Sequence, residues 1–509
     1  MCIKTDVRSD EQKTVPYHPR SEPKYSEQIS MAALKGIFAY CDDFENRDIA
    51  IGGSDSRHVT VCFIDGVVSG GDVSEDVIRP LTEARRLGVP MSPEKCMRTL
   101  LQGAVYRYSA KLRRTLDDLV RDITLGYCAV VFDDEHEAVT FEVRTSNTRN
   151  IDEPSVEKSV KGAKDAFVET LRVNTSLVRR RLRDPALKVR QTTVGRKSGT
   201  EVAVMYLDGV ADPKTVGDMM SRLDAIDIDG LITAGNLEQY VTDMPQSPFP
   251  QMINTERPDR FSMNLLEGRV GVIADGLPLG FLVPASFSQF MKVSDDNTQH
   301  FITASALTIL RYAAMIISVL LPAFYVAVAM YHQEMLPTKL LVSIISSKQN
   351  VPFSTAAEIL GMLVSFELLQ EAGIRLPSSI GTTLSIIGAL IVGQSAVDAK
   401  VVSPIAIIVV ALAGIGDFTQ PSRDMGSALR IMRFIVLIVA MIFGMFGIMA
   451  ALVALIWHLC AIDSFGVAYM SPVVDQSPGA LKRAFLRTPL WKDKLRDPAL
   501  NTPDKRNQK

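Results

Sequence analysis

An excess of charge of either sign is absent from this chain of 509 residues. Its 55 Lys and Arg against 57 Asp and Glu leave a formal net charge of −2, which supplies no electrostatic basis for binding nucleic acid. Cysteine is scarce and unpatterned: Cys2, Cys41, Cys62, Cys96, Cys128 and Cys460 include no Cys-x-x-Cys pair and no histidine at ligand spacing. That excludes the usual zinc and disulfide frameworks. Cys62 and Cys128 lie in apolar runs, where a thiol acts as a small buried hydrophobe. Also missing are Gly-x-Ser-x-Gly, Walker A, His-Glu-x-x-His and dinucleotide-binding fingerprints. No catalytic residue, cofactor or metal site is therefore expected, and the chain is not read as an enzyme. The first 28 residues are charged and contain prolines, with no apolar leader core. Residues 1–40 are read as a disordered arm, and the polar part behind it as cytoplasmic.

What is present falls into two compositions. Residues 1 to about 300 carry charges throughout, whereas about 302–460 contain long apolar runs. The expected fold is α+β joined to an α-helical membrane protein. Two tandem cytoplasmic α/β units (41–150 and 163–300) precede a multi-span helical membrane domain (301–462) and a basic cytoplasmic tail (463–509). In the first unit, residues 59–67 read as a strand ending at Asp65-Gly66, and a helix follows with Val73, Val77 and Leu81 on one face. Residues 202–210 repeat that pattern through Asp208-Gly209, ahead of a helix carrying Val216, Met219, Met220 and Leu223. Between them, 109–123 reads as a basic amphipathic helix, and 127–132 with 138–143 as a hairpin whose acidic tip holds His136. Residues 151–162 read as a linker. The helix expected over 163–183 ends in Arg179-Arg180-Arg181, suited either to anionic headgroups or to its own dipole. A second hairpin is expected around Asp275-Gly276.

The apolar half offers spans at 306–331 and 434–460, and two shorter ones at 380–397 and 401–418 joined by Asp398-Ala399-Lys400. Residues 355–373 are helical and apolar except for Glu358, Glu367 and Glu371. Three carboxylates at membrane depth would cost roughly 7–10 kcal/mol unless relieved. Glu367 and Glu371 share a face while Glu358 lies about 180° from Glu367, so no single neighbour hides all three. That segment is expected to be re-entrant, interfacial or enclosed in an oligomer. Lys482, Arg483, Arg487, Lys492, Lys494, Arg496, Lys505 and Arg506 place the tail on the cytoplasmic side, which requires an even number of crossings. Four crossings satisfy this but leave Arg423, Arg430 and Arg433 outside. Five would bring them in and export the tail; four are preferred. Within 380–397, Gly381, Ser385, Gly388, Val392 and Ser395 form a narrow stripe of small residues, fit for helix packing or, in a ring of subunits, for lining a pore.

Residues 247–259, SPFPQMINTERPD, read as a stiff connector, because Pro248, Pro250 and Pro258 each fix φ and remove an N–H donor. Glu256, Arg257, Asp259 and Arg260 would lock its geometry. Together with LLEGRV at 265–270, Asp275-Gly276, FELLQEAGIRLP at 366–377, Gly393-Gln394 and Val401-Val402-Ser403, the segment resembles the A subunits of spore germination receptors, the GerA family, which includes the relative stage V sporulation protein AF. The resemblance covers roughly residues 44–496. It implies a subunit of the spore inner membrane that works with a transporter-like B subunit and a lipoprotein C subunit and touches membrane lipid. It also implies a homo-oligomeric, nutrient-gated channel for monovalent cations, with the nutrient bound mainly by the B subunit. The relative AF would amplify germination through a similar channel. On this reading the stripe Gly381, Ser385, Gly388, Val392 and Ser395 lines the pore, and Glu358, Glu367 and Glu371 attract ions or gate. An ion-coupled transporter using those glutamates and a non-conducting scaffold stay open as alternatives.

Overall fold

In the computed structural model, the described residues are 24–51, 58–83, 92–105, 109–143, 154, 157, 159, 161–349, 351–375, 393–474 and 478–508. The chain divides into two compact units, one made of Met1–Ala39, Asp43–Ser146 and Arg183–Pro185, the other of Tyr40–Asp42, Asn147–Leu182 and Ala186–Lys509.

The first unit is built on a five-stranded sheet of β1 (Phe44–Ala50), β2 (His58–Ile64), β3 (Ala110–Arg113), β4 (Tyr127–Phe132) and β5 (Glu137–Glu142). Its order is β1-β2-β4-β5-β3 and every pairing is antiparallel. The central strand β4 reads YCAVVF and is buried at every position, the pattern of a strand covered on both faces. Helix α1 (Leu116–Thr124) covers one face with Leu116, Leu119, Val120 and Ile123. The expected helix over 109–123 is thus a strand followed by a helix. Thr115 is the reason: its extended backbone and its side chain, which accepts from Asp118 N at 3.4 Å, start the helix there. Of the arm expected to be disordered through residue 40, Met31–Ile37 is helical, capped by Ser30, with Met31 and Leu34 buried.

The second unit contains β6 (Leu187–Val194), β7 (Thr200–Leu207), β8 (Ile253–Thr255), β9 (Val270–Ala274) and β10 (Gly280–Val283) in the order β6-β7-β9-β10-β8, again antiparallel. The two sheets share one strand order. In each, the second strand runs into an Asp-Gly turn whose glycine has positive φ, 79° at Gly66 and 75° at Gly209. Alternation along β7 sorts the core. Val202 and Val204 join a cluster with α3 (Pro213–Asp224; Val216, Met219, Met220), whereas Ala203 and Met205 face α2 (Leu171–Arg181) and the remaining helices. The basic run at the end of α2 turns inward: Arg179 is buried and donates to Leu187 O at 2.8 Å, and Arg181 pairs with Asp165. α4 (Ala234–Val241) completes this side. Residues 247–259, read as a stiff connector, contain regular structure. Ile253–Thr255 is the edge strand β8, and Pro258 occupies the first turn of α5 (Pro258–Glu267), where its missing N–H costs nothing.

The helical part follows within the same unit: α6 (Phe301–Met330), α7 (Thr338–Lys348), α8 (Thr355–Arg375), α9 (Pro404–Phe418) and α10 (Arg423–Ala461). Among the described residues, two helices, α6 and α10, are long and apolar enough to cross a bilayer; α9 is shorter. Most of the span expected at 380–397 lies outside the described residues. The expected single span over 434–460 is broken. Gly444 leaves helical conformation (φ 61°, ψ −137°), with 21 residues before it and 17 after. A Cβ on Gly447 would stand 2.5 Å from Val439 O. Eight residues along a continuous helix rise about 12 Å, so the backbone reverses here. The ends agree: Asp424 in the first turn accepts from Asn254 Nδ2 at 2.6 Å, and His458 in the last turn contacts Ser247 Oγ at 2.9 Å. Residues 247 and 254 are at most about 25 Å apart along the chain, whereas a straight helix of this length would separate its ends by roughly 57 Å. Reversal returns the chain to the second sheet, where Ser464 Oγ donates to Gln251 O and accepts from Ala285 N.

Candidate functional site

Buried charge gathers at two levels of the apolar helices. At the first, Arg433 of α10, with no accessible surface, donates to Glu367 Oε1 of α8 at 2.5 Å and lies 3.5 Å from Ser318 Oγ of α6. Arg430, one turn earlier, reaches Glu367 Oε2 at 3.4 Å and Asp417 of α9 at 3.5 Å. Three helices are therefore tied by two cations and two carboxylates, and α6 joins them through the Ser318 hydroxyl. At the second level Glu358, 3% exposed, accepts from Ser403 Oγ at 3.0 Å and lies 3.5 Å from Lys348 Nζ. Lys348 also bonds Thr355. Ser403 meanwhile caps α9 by accepting from Ala406 N.

These contacts change the reading of 355–373. Glu358 and Glu367 do point in opposite directions, but each meets a different cationic neighbour of the same chain. Arg430 and Arg433 are both ion-paired to Glu367 between the helices, whereas Arg423 alone of the three is exposed. Glu371 is exposed. Gly381, Ser385, Gly388 and Val392 lie outside the described residues, while Ser395 is exposed and helical, as are all described residues from 393 to 398.

A third cluster joins the sheet to the helices. Arg257, 2% exposed, chelates Asp259 at 3.0 and 2.6 Å and reaches Asp295 Oδ1 at 3.5 Å. Ser159 donates to the same Asp295 oxygen at 2.6 Å, and Arg260 and Thr255 both bond Glu157. The next residue, Asp296, accepts both Arg311 nitrogens of α6 at 2.6 and 2.7 Å. Two adjacent aspartates thus tie the start of α5 to the first apolar helix. Of the other residues expected here, Pro258 is buried at the head of α5, Glu256 accepts through its backbone from Phe167 N at 2.7 Å, Pro250 is partly covered, and Pro248 is exposed. Beside this seam burial pushes the Glu238 carboxyl up to about 7, helped by the Asp424 charge and opposed by a hydrogen bond from Asn254.

Sequence reading missed Arg430, Arg433, Asp417, Lys348, Ser403, Asp295, Asp296 and Arg311 as parts of a site. A signal existed for the first pair: two arginines three apart share a helix face, and charge at the edge of an apolar run demands a partner. Which carboxylate answers them depends on helix packing.

The family model described as the Bacillus/Clostridium GerA spore germination protein matches residues 32–499. Spore germination protein KA of Bacillus subtilis (strain 168) is 37% identical over 480 residues, which cover 94% of this chain and 87% of that protein. Stage V sporulation protein AF of the same organism is 31% identical over 377 residues, 74% of this chain and 76% of that protein. Among solved structures, the N-terminal domain of the A subunit of the Bacillus megaterium spore germinant receptor GerK3 is 26% identical with a TM-score of 0.40, covering 51% of this chain and 98% of that one.

Proposed function

This chain belongs to the Bacillus/Clostridium GerA spore germination protein family, and from that premise we propose that it is the A-type subunit of a nutrient germinant receptor in the spore inner membrane. It works there with a transporter-like B-type subunit and a lipoprotein C-type subunit. It oligomerises, and the ring conducts monovalent cations when nutrient binds its partner. The observation that carries this reading is the similarity to protein KA over nearly the whole chain, which exceeds the similarity to protein AF in both identity and coverage. Supporting it, α6 and both arms of α10 present apolar residues outward, among them Ile309, Phe324, Ile438, Phe446 and Trp457, as helices do against lipid or another subunit.

In this reading Glu358 and Glu367 are gating residues. Their ion pairs hold α8 against its neighbours in the resting state, and displacing α8 frees carboxylates toward the conducting path. Glu371 attracts cations at the exposed end, and Gly381, Ser385, Gly388, Val392 and Ser395 line the pore. The soluble units assemble and couple. The test is planar-bilayer recording of the purified oligomer, wild type beside Val392→Ala. Cation currents altered by the substitution are expected; silence in both would leave only a scaffold. Spores lacking the chain separate the two family readings. Loss of response to one nutrient class fits a receptor subunit, and a slower response to every nutrient fits the amplifying type.

A further inference from the structure

Glu358 of α8 is a carboxylate whose side chain has no accessible surface. Its Oε2 accepts from Ser403 Oγ at 3.0 Å, but Oε1 has no hydrogen-bond partner among the described residues. Among those residues one cation answers the charge: Lys348 Nζ, 3.5 Å from Oε1, which also donates to Thr355 Oγ1. Tyr325 of α6 lies beside Ser403 and Glu358, and its hydroxyl too is buried without a hydrogen-bond partner among the described residues. The ammonium thus meets a carboxylate backed by three hydroxyls, all of them able to offer lone pairs. Lys348 ends α7, a helix of 11 residues of which only Ile344 is buried; Leu340, Val342 and Ile345 are exposed. The lysine side chain itself keeps 20% of its surface. It is the member of the pair that can leave.

We propose that Glu358, Thr355, Ser403 and Tyr325 form a monovalent-cation site which Lys348 occupies as a tethered ion, and that withdrawal of α7 exchanges the ammonium for a free alkali cation. Oxygen is the donor that hard cations take, and an ammonium is a compact point charge that the same set can hold. One carboxylate sets the valence. A single positive charge neutralises it, whereas a divalent ion would leave net charge among apolar helices. With an ion to take the lysine's place, α7 can move without leaving a buried anion alone. This exchange rests on the gating role proposed for Glu358 and names the ion that replaces its partner.

The experiment measures melting of the full-length protein in detergent, with sodium or potassium chloride replacing N-methyl-D-glucamine chloride at constant ionic strength. Wild type is expected to melt at one temperature throughout, because the tethered ammonium outcompetes free ions. Lys348→Met is expected to melt about 6–10 °C lower in the organic cation, since Glu358 is left buried alone. Sodium or potassium then recovers about half of that loss or more, with the saturating dependence that ligand linkage requires. Lys348→Met/Glu358→Gln has no charge to answer and is expected to show no such response. If Lys348→Met does not accumulate, Lys348→Gln, which keeps a donor for Glu358 but no charge, carries the same titration. No specific response of the lysine variant to the alkali cations, or an equal response in the double variant, overturns the proposal. Bilayer recording separates it from the channel reading. A saturable response in a protein that passes no current keeps the site and removes its gating role, whereas currents without that response remove the site alone.

Discussion

Replacing Glu367 with Met leaves Arg433 fully buried with the Ser318 hydroxyl at 3.5 Å and the Asp417 charge nearby but no ion pair within 4 Å, and leaves Arg430 with Asp417 and the Ser427 hydroxyl. Removing one partner of a buried ion pair costs about 3–5 kcal/mol, because the survivor keeps its desolvation penalty without its attraction. At about 2 °C per kcal/mol for a large domain, that lowers the melting temperature by about 6–10 °C. The double replacement Glu367→Met/Arg433→Met removes both charges while keeping apolar volume, and is expected to melt within about 2 °C of wild type. The cycle therefore yields a coupling of about 3 kcal/mol or more, where uncoupled sites would add. Heating the four detergent-purified proteins and scoring the oligomer that survives on size exclusion measures it. Raising salt from 0.1 to about 1 M should change the coupling little, since buried pairs are weakly screened. The reasoning fails if Glu367→Met costs less than about 1 kcal/mol, or if the double variant is as unstable as the sum of the singles.

Three further outcomes follow from other contacts. Arg257→Ala removes the buried cation that Asp259 and Asp295 share, leaving them Arg260 N and the Ser159 hydroxyl, and should cost about 3–5 kcal/mol, seen as low yield and early melting; normal oligomers with a shifted nutrient dose-response would contradict the structural role given to it. Gly444→Ala puts a side chain at φ 61°, ψ −137° with its Cβ 3.1 Å from the Tyr331 ring, costing about 1–3 kcal/mol in backbone strain before the clash. Tyr331→Phe removes the hydroxyl that donates to Met441 O at 2.5 Å where the reversal frees that carbonyl. Faster hydrogen exchange at 441–447 is expected in both variants, and wild-type exchange would refute the hinge. Glu238 titrates at about 7 when folded against 4.5 for an ordinary glutamate. The folded state therefore binds more protons between those values, and the stabilisation present below 4.5 is lost as pH rises through 7. Glu238→Gln should flatten that slope, worth about 3 kcal/mol at most, in melting curves from pH 4.5 to 8. Parallel curves for wild type and variant would refute it.

Local pattern made much of the fold legible. The Asp-Gly turns after β2 and β7, the two hairpins and the apolar helices each depend on neighbours a few residues apart. The same reasoning failed where one residue outweighed a trend: Thr115 split an expected helix, and Gly444 turned one expected span into two arms. The candidate site was half legible. Glu358, Glu367 and Arg257 stood out as charges in costly places; Asp259, two residues from Arg257, was within local reach, but Lys348, Asp295 and Arg433 lie 10, 38 and 66 residues from the charges they meet, beyond any local period.

What sequence by itself determined was composition and membership: a polar half, an apolar half, and the ordered motifs from 247 to 403 that resemble the GerA family, whose model matches residues 32–499. Only the tertiary structure decided that SPFPQMINTERPD, read as a connector, holds an edge strand and a helix start, and that Arg430 and Arg433 before the last apolar run meet glutamate. The reason is physical. Burial preference is a property of each side chain, so it can be read residue by residue, whereas an ion pair is a property of two segments. Its energy exists only once packing has excluded water and brought them within hydrogen-bond reach.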